Sequence, residues 1–383
     1  MLDLVRRQSP ISRVELSHTT GLTETSISKT VRRLLEAGLV EEAGQDSSGR
    51  GKSRTLLRLA PGAMHAVGVV LDDTRIQCVL TDFSGAILAS RELEGTRGDL
   101  PPHITERVSA AVLEMISSAG ITVSDVVGTC LASPGRFDEE KKRLRMSLVA
   151  SDWEDYDVQE QFTALTSIPV RLEKDYGCAA LAEHWVARDT SSDFITVYLA
   201  NGIGAGIVLD GELYGGTSSN AGEIGHLPLD PDGPECSCGN RGCLERLAAP
   251  QYLVTAALAD TSLVARLALV GDRDTIRVDF EKIVRAAVTG DDGAMALISG
   301  AAERLAQAVV GLANTLDVKE VVLAGPTLEL VGEIYAERIQ DALDRRFFLR
   351  PVHEVTVRLS SLGLDGAASG AAISVLRAEA ITR

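Results

Sequence analysis

Three cysteines, Cys236, Cys238 and Cys243, fall within eight positions of a 383-residue chain that has six. Cys236 and Cys238 are one residue apart, too near for a comfortable disulfide. Gly239 and Gly242 leave the backbone free to wrap an ion, and Glu245 places a carboxylate two residues beyond the last thiol. Cys78, Cys130 and Cys178 sit among apolar or small residues and are expected simply to be buried. The start, MLDLVRRQSP, lacks the features of a signal peptide, and no apolar run approaches the roughly eighteen residues that a membrane helix needs. The expected setting is the reducing cytoplasm, with no membrane, where clustered thiols bind metal more often than they pair.

A second chemistry, polyanion recognition, is written into the first sixty residues. They carry ten Lys/Arg against seven Asp/Glu, whereas the remainder carries 28 against 47, so a mildly basic head precedes an acidic body. MLDLVRRQ predicts a first helix that Pro10 ends. Ser12 and Glu15 have capping-box spacing for a second helix, and Gly21 is placed to stop it. Thr23 can cap a third, through ETSISKTVRRLLEAG, whose Ile27, Val31, Leu34 and Leu35 share one face. The opposite face carries Thr25, Ser26, Ser28, Lys29, Arg32 and Arg33, donors suited to major-groove edges and flanking phosphates. Two strand-like segments follow, LVEEAG and TLLRLA. The loop between them bears Arg50, Lys52 and Arg54 and reads as a wing for phosphate or minor-groove contact. The order predicts an α+β winged helix-turn-helix on double-stranded DNA.

The elements that must position the thiols belong to the rest of the chain. The 383 residues of the whole chain call for two or three domains, with 45% apolar and 24% charged residues as in a globular protein. Residues 65–88 and 193–216 line up at an offset of 128. Each reads as strand, small-residue turn, strand, and an Asp (Asp82, Asp210) before another turn. A duplicated α/β body with mixed sheets, flanking helices and a cleft between two lobes is expected.

NAGEIGHLPLDPDGPECSCGNRGCLE resembles the signature of the ROK family (repressors, open reading frames, kinases). SPG (133–135), PVRLEKD (169–175), the repeat hairpins and GLDGAASGAA (363–372) extend the resemblance over essentially the whole body. It implies an actin-like, sugar-kinase-type α/β body of two lobes; with the winged helix in front, this is the arrangement of the family's transcriptional repressors. It also implies one structural zinc ion per chain on His226, Cys236, Cys238 and Cys243, since three thiolates and an imidazole complete a tetrahedral set. The zinc would stiffen the AGEIGH loop while Glu223, His226 and Glu245 face a sugar. Asp175 matches the carboxylate that serves the family's kinases as catalytic base.

Several positions depart from the kinases. Where they carry Asp-x-Gly-Gly-Thr, this chain has Val70, Asp72 and Asp73, so carboxylates replace the glycines of a phosphate cradle and the metal-positioning Asp is missing. Pro326 alters a nucleotide-side Gly-Gly. On the sugar side Lys174 replaces an Asn, Gly177 another, and Val149 a third. Lys174 could pair with Asp175, favour an acidic or phosphorylated sugar, or signal that no sugar binds. The expected organisation is 1–60 for the DNA-binding domain, 61–190 for the first lobe with a returning helix at about 366–383, and 191–365 for the second lobe with the zinc loop. The expected function is a cytoplasmic, homodimeric or homotetrameric repressor that senses a sugar or sugar derivative by closing its cleft. The competing reading is an ATP-dependent sugar kinase with an appended head.

Overall fold

The computed structural model describes residues 1–46, 54–138, 143–145, 153, 156–186, 191–272 and 274–382. The head comprises α1 (Leu2–Arg7), β1 (Ile11–Ser12), α2 (Arg13–Thr20), α3 (Glu24–Glu36), β2 (Val40–Asp46) and β3 (Arg54–Leu59). Local sequence sets each boundary. The Ser12 hydroxyl accepts from the Glu15 amide while the Glu15 carboxylate accepts from Ser12, and Gly21 ends α2 in the left-handed region at φ 67°. The Thr23 side chain caps α3 by accepting from the Ser26 amide. Ile27 and Val31 are fully buried beneath α3. The strands form an antiparallel sheet in the order β1-β3-β2, the winged-helix topology. The two-residue β1, too short to leave a periodic pattern, completes that sheet.

The first lobe contains β4 (His65–Leu71), β5 (Arg75–Asp82), β6 (Ile87–Glu94), α4 (Pro101–Ser118), β7 (Val126–Ser133), a small hairpin of β8 (Arg136–Asp138) and β9 (Arg143–Arg145), α5 (Val158–Thr166) and β10 (Val170–Lys174), followed by α6 (Asp175–Val186). Its sheet has the order β10-β7-β4-β5-β6, with β7 parallel to both neighbours. The second lobe runs β11 (Phe194–Leu199), β12 (Ile203–Leu209), β13 (Glu212–Leu213), α7 (Leu244–Ala248), α8 (Pro250–Leu258), α9 (Thr261–Leu267), α10 (Ile276–Val288), α11 (Asp292–Leu316), β14 (Glu320–Ala324), α12 (Leu328–Arg346) and β15 (Thr356–Leu359). Its sheet repeats the first in the order β13-β12-β11-β14-β15. The hairpins β4–β5 and β11–β12 are the two copies of the internal repeat.

The closing helix α13 (Gly366–Thr382) returns to lie against α6 and against β4, β7 and β5, while α6 lies on β12 and β11. The body is therefore layered as sheet, α13, α6, sheet. Glycine makes this thin enough: a methyl group at Gly370 would collide with the carbonyl of Cys178. The remaining helices cover the outer faces of both sheets.

One expectation is corrected here. The helix α11 is long and apolar enough, by length and composition, to cross a membrane, although the sequence reading found no such segment. It carries Glu303 and Arg304 at mid-length and buries Ile298, Ala302, Leu305 and Val309 in the core of the second lobe. Alanine-rich packing against α12, α10 and α8 explains its apolarity.

Candidate functional site

The thiol loop folds around its own glycines and backbone bridges. Gly242 adopts φ 57°, and a side chain there would strike the Asp230 carbonyl. Short bridges pair Glu235 with Arg241 and Pro228 with Cys243. One ligand atom from each of His226, Cys236, Cys238 and Cys243 lies within 4.8 Å of all the others. The Cys238 and Cys243 sulfurs are 3.6 Å apart, and Cys236 Sγ is 3.6 Å from His226 Nδ1. A disulfide needs about 2.05 Å, so these are not bonded pairs. Tetrahedral ligands at about 2.3 Å (S) and 2.0–2.1 Å (N) from zinc would stand roughly 3.8 Å (S to S) and 3.6 Å (S to N) apart, and the loop has that geometry. The Asn240 amide holds the Cys238 thiol down at about 7, toward the thiolate a metal requires. His226 turns Nδ1 toward the thiols, leaving Nε2 as the ring nitrogen able to meet a ligand.

The same loop delivers Glu223, which precedes the single 3-10 turn Ile224–His226. Its carboxylate does not stand alone. Lys174, the last residue of β10 in the opposite lobe, donates to Glu223 Oε1 at 2.6 Å and to the Gly135 carbonyl. The Tyr176 hydroxyl, 3.3 Å away, donates to the same oxygen. The expected pairing of Lys174 with Asp175 is not what forms: the lysine pairs with Glu223 and bridges the lobes. Asp175 opens α6, fully buried, with the Tyr176 amide donating to it at 2.8 Å. Burial pushes its carboxyl up to about 7, with Asp72 and Glu223 adding to the effect and Lys174 opposing it. Glu245, in the first turn of α7, is likewise pushed up by burial and lies against Gly202 and Gly225 beneath the β11–β12 turn. Trp153 is buried among the apolar residues of the first lobe, and Val149 lies outside the described residues.

The two repeat turns meet across the cleft. Asp72 accepts from the Thr74 amide at 2.9 Å, its hydroxyl at 2.8 Å, and Asn201 Nδ2 at 2.9 Å. Asn201 belongs to the second turn, so this bond also joins the lobes. Asp73 pairs with Arg97 at 3.1 Å, and Val70 is a buried strand residue. The cavity bounded by these turns, Pro326 and Phe280 measures about 70 Å³, far below the 300–1,000 Å³ of ordinary small-molecule sites.

On the head, Thr25, Ser26, Lys29, Arg32 and Arg33 project from the exposed face of α3, Ser28 is half-buried, and Arg54 is exposed at the start of β3. Arg50 and Lys52 lie outside the described residues. Sequence reasoning missed how the head is attached. Arg6 of α1 is buried, stacks over the Trp185 ring at 4.6 Å, and donates to the carbonyls of His184, at 2.9 Å, and Trp185 at the end of α6. The helix that begins at Asp175 thus ends on the winged-helix head. An Arg in a basic head resembles a phosphate ligand in sequence, and only its position shows otherwise.

A winged helix built onto a two-lobed, actin-like sugar-kinase body, with a Cys/His loop able to hold a metal, defines the class. Residues 66–378 match the ROK family, and the chain belongs to it. It is 26% identical over 374 residues to the xylose repressor of Bacillus subtilis (strain 168), covering 97% of this chain and 92% of that protein. A crystal structure of a ROK family transcriptional regulator, a homologue of the Escherichia coli Mlc protein, superposes with a TM-score of 0.74 at 22% identity, covering 98% of this chain and 94% of that one. The ROK hexokinase of Thermus thermophilus superposes at 0.66 with 28% identity, covering 84% of this chain and all of its own.

Proposed function

We propose that the protein is a DNA-binding transcriptional repressor whose kinase-like cleft senses a sugar or sugar derivative and does not transfer phosphate. The observation that carries this reading is the docking of Arg6 on α6, the helix whose first residue is Asp175. A head fixed to a cleft-lining helix has a use in signalling that it lacks in an enzyme. The similarity to the xylose repressor runs through the head as well as the body, whereas that to the hexokinase covers 84% of the chain. On this reading residues 1–60 bind operator DNA, 61–190 with 366–383 form one lobe, and 191–365 form the other. Lys174, Asp175, Glu223, His226 and Glu245 serve the ligand. The thiol loop holds one zinc ion, whose part is to fix the loop that carries Glu223. A homodimer or homotetramer acting on operator DNA in the cytoplasm completes the assignment.

For DNA recognition, Arg32→Ala should weaken operator binding by about 1–3 kcal/mol if its guanidinium reaches a base edge. Gel-shift titration of the full chain measures this, and unchanged affinity for variants at Lys29, Arg32 and Arg33 together would remove α3 as the reading helix. Retention of Asp175 favours the competing kinase reading. ATP consumption across a sugar panel decides between them, and turnover above background would restore the enzyme.

A further inference from the structure

We propose that Lys174 selects the effector by charge: the ligand of this cleft is a sugar carrying an anionic group, carboxylate or phosphate, that takes the place of Glu223 on the lysine ammonium. This rests on the reading of the cleft as a sugar-sensing site and names the class of sugar.

The Lys174 side chain is 6% exposed, and Glu223 is the one carboxylate within ion-pair range of it among the described residues. The partners stand on opposite lobes, Lys174 at the end of β10 and Glu223 on the metal loop. A ligand hydroxyl that recruits Glu223 Oε1, or a movement that parts the lobes, takes away the one carboxylate in ion-pair contact with the ammonium among the described residues. It would keep the Gly135 carbonyl, a dipole. Removing one partner from a buried ion pair is strongly unfavourable, because the remaining charge has lost its hydration as well. A neutral sugar offers hydroxyl dipoles and cannot make good that loss. A carboxylate or phosphate can, through charge-assisted bonds to the same nitrogen. Glu223 is then released to accept from ligand hydroxyls, which suits its greater exposure of 34%.

The cleft contains further carboxylates that would repel an anion if all were ionised. Burial pushes Asp175 up to about 7, so near neutrality it is protonated in part, and in that form it can donate to the incoming anion. The opposite ligand class, a cationic amino sugar, would place two cations on one buried site.

Calorimetric titration of the full-length protein tests this with matched probes. D-glucose, D-glucuronate and D-glucose 6-phosphate differ only at C6, as do their galacto counterparts. At least one anionic member should bind about tenfold or more tightly than its neutral parent, the size of effect that one retained charge pair produces. Whether carboxylate or phosphate binds better identifies the source of the anion. The preference should persist in Lys174→Arg and fall to about twofold or less in Lys174→Asn. Neutral sugars binding as well as their anionic partners, or a preference that survives Lys174→Asn, would overturn the charge assignment while leaving a sugar-sensing repressor intact. If parent protein with an intact melting transition bound none of the six probes, the sugar-sensing reading would itself fall, and this inference with it.

Discussion

Asp175 and Cys238 differ in what their surroundings ask of them. The fold holds the Asp175 carboxyl at about 7 against an ordinary value of 3.8. Between those values the folded chain keeps a proton that the unfolded chain releases, so this group's contribution to stability falls as pH rises through the window and levels off above about 7. Asp175→Asn should therefore melt increasingly above the parent as pH rises from about 4 to 7, reaching a constant difference beyond. Thermal melts across that range measure it, and a difference independent of pH would show the carboxyl titrating normally. In gel-shift titrations Asp175→Ala should keep operator affinity and lose the effector's influence on it. Cys238 has the opposite problem, since its thiol is held low and exposed at the loop surface. With a metal in place the loop is tied to the body through His226 and Cys243. Cys238→Ser should lose the ion by elemental analysis, lower the melting temperature, and weaken the ligand response through displacement of Glu223. Full metal content in that variant would exclude Cys238 as a ligand.

At the scale of elements, α6 does more than its sequence announces. Its alanine-rich run is legible as a helix, and its burial follows from packing between the second sheet and α13. Its C-terminal carbonyls are not satisfied within the helix, and the Arg6 guanidinium accepts that role, adding a cation at the negative end of the helix dipole. Arg6→Ala removes those bonds and the stacking on Trp185, and should cost about 1–3 kcal/mol of stability. Ligand affinity measured by calorimetry should stay within about twofold, while the ligand-induced change in operator affinity shrinks. An unchanged ligand effect on DNA binding would show that coupling does not pass through this contact. Much of the rest was readable. Capping residues placed α2 and α3, the 128-residue repeat foretold paired hairpins, and thiol spacing marked the loop where three cysteines and His226 gather. Contacts between segments far apart in sequence were not. Lys174 with Glu223, Asp72 with Asn201, and Arg6 with α6 join positions 49, 129 and 178 residues apart, and no local periodicity encodes such pairs. The repeat did hold a clue, since its offset aligns Asn201 with Asp73 and sets the two turns in equivalent places.

At the scale of the molecule, the head and the first lobe share a core. Val5, Ile27 and Val31 belong to one apolar cluster with Leu181 and Trp185 of α6 and with Ala371 and Leu376 of α13. The two lobes are joined in turn by Lys174–Glu223 beside the Cys/His loop and by Asp72–Asn201 between the repeat turns. These bonds alter the picture of a ligand that alone draws two lobes together: a ligand must exchange with them, and its effect on DNA is bounded by how differently it binds the states they favour. They also bear on whether this cleft could transfer phosphate. Replacing both Asp72 and Asp73 by glycine recreates the small residues of a phosphate cradle but deletes the acceptor that Asn201 uses. It also takes the Asp73 carboxylate from Arg97, which keeps its pairing with Asp274. The double variant should melt lower than the parent by the equivalent of about 1–3 kcal/mol, the range for unsatisfied buried polar groups. It should still consume no ATP, because Val70 supplies no carboxylate for a metal and Pro326 still narrows the cavity. Phosphorylated sugar above background from that variant would show that two side chains alone stood between this cleft and phosphoryl transfer.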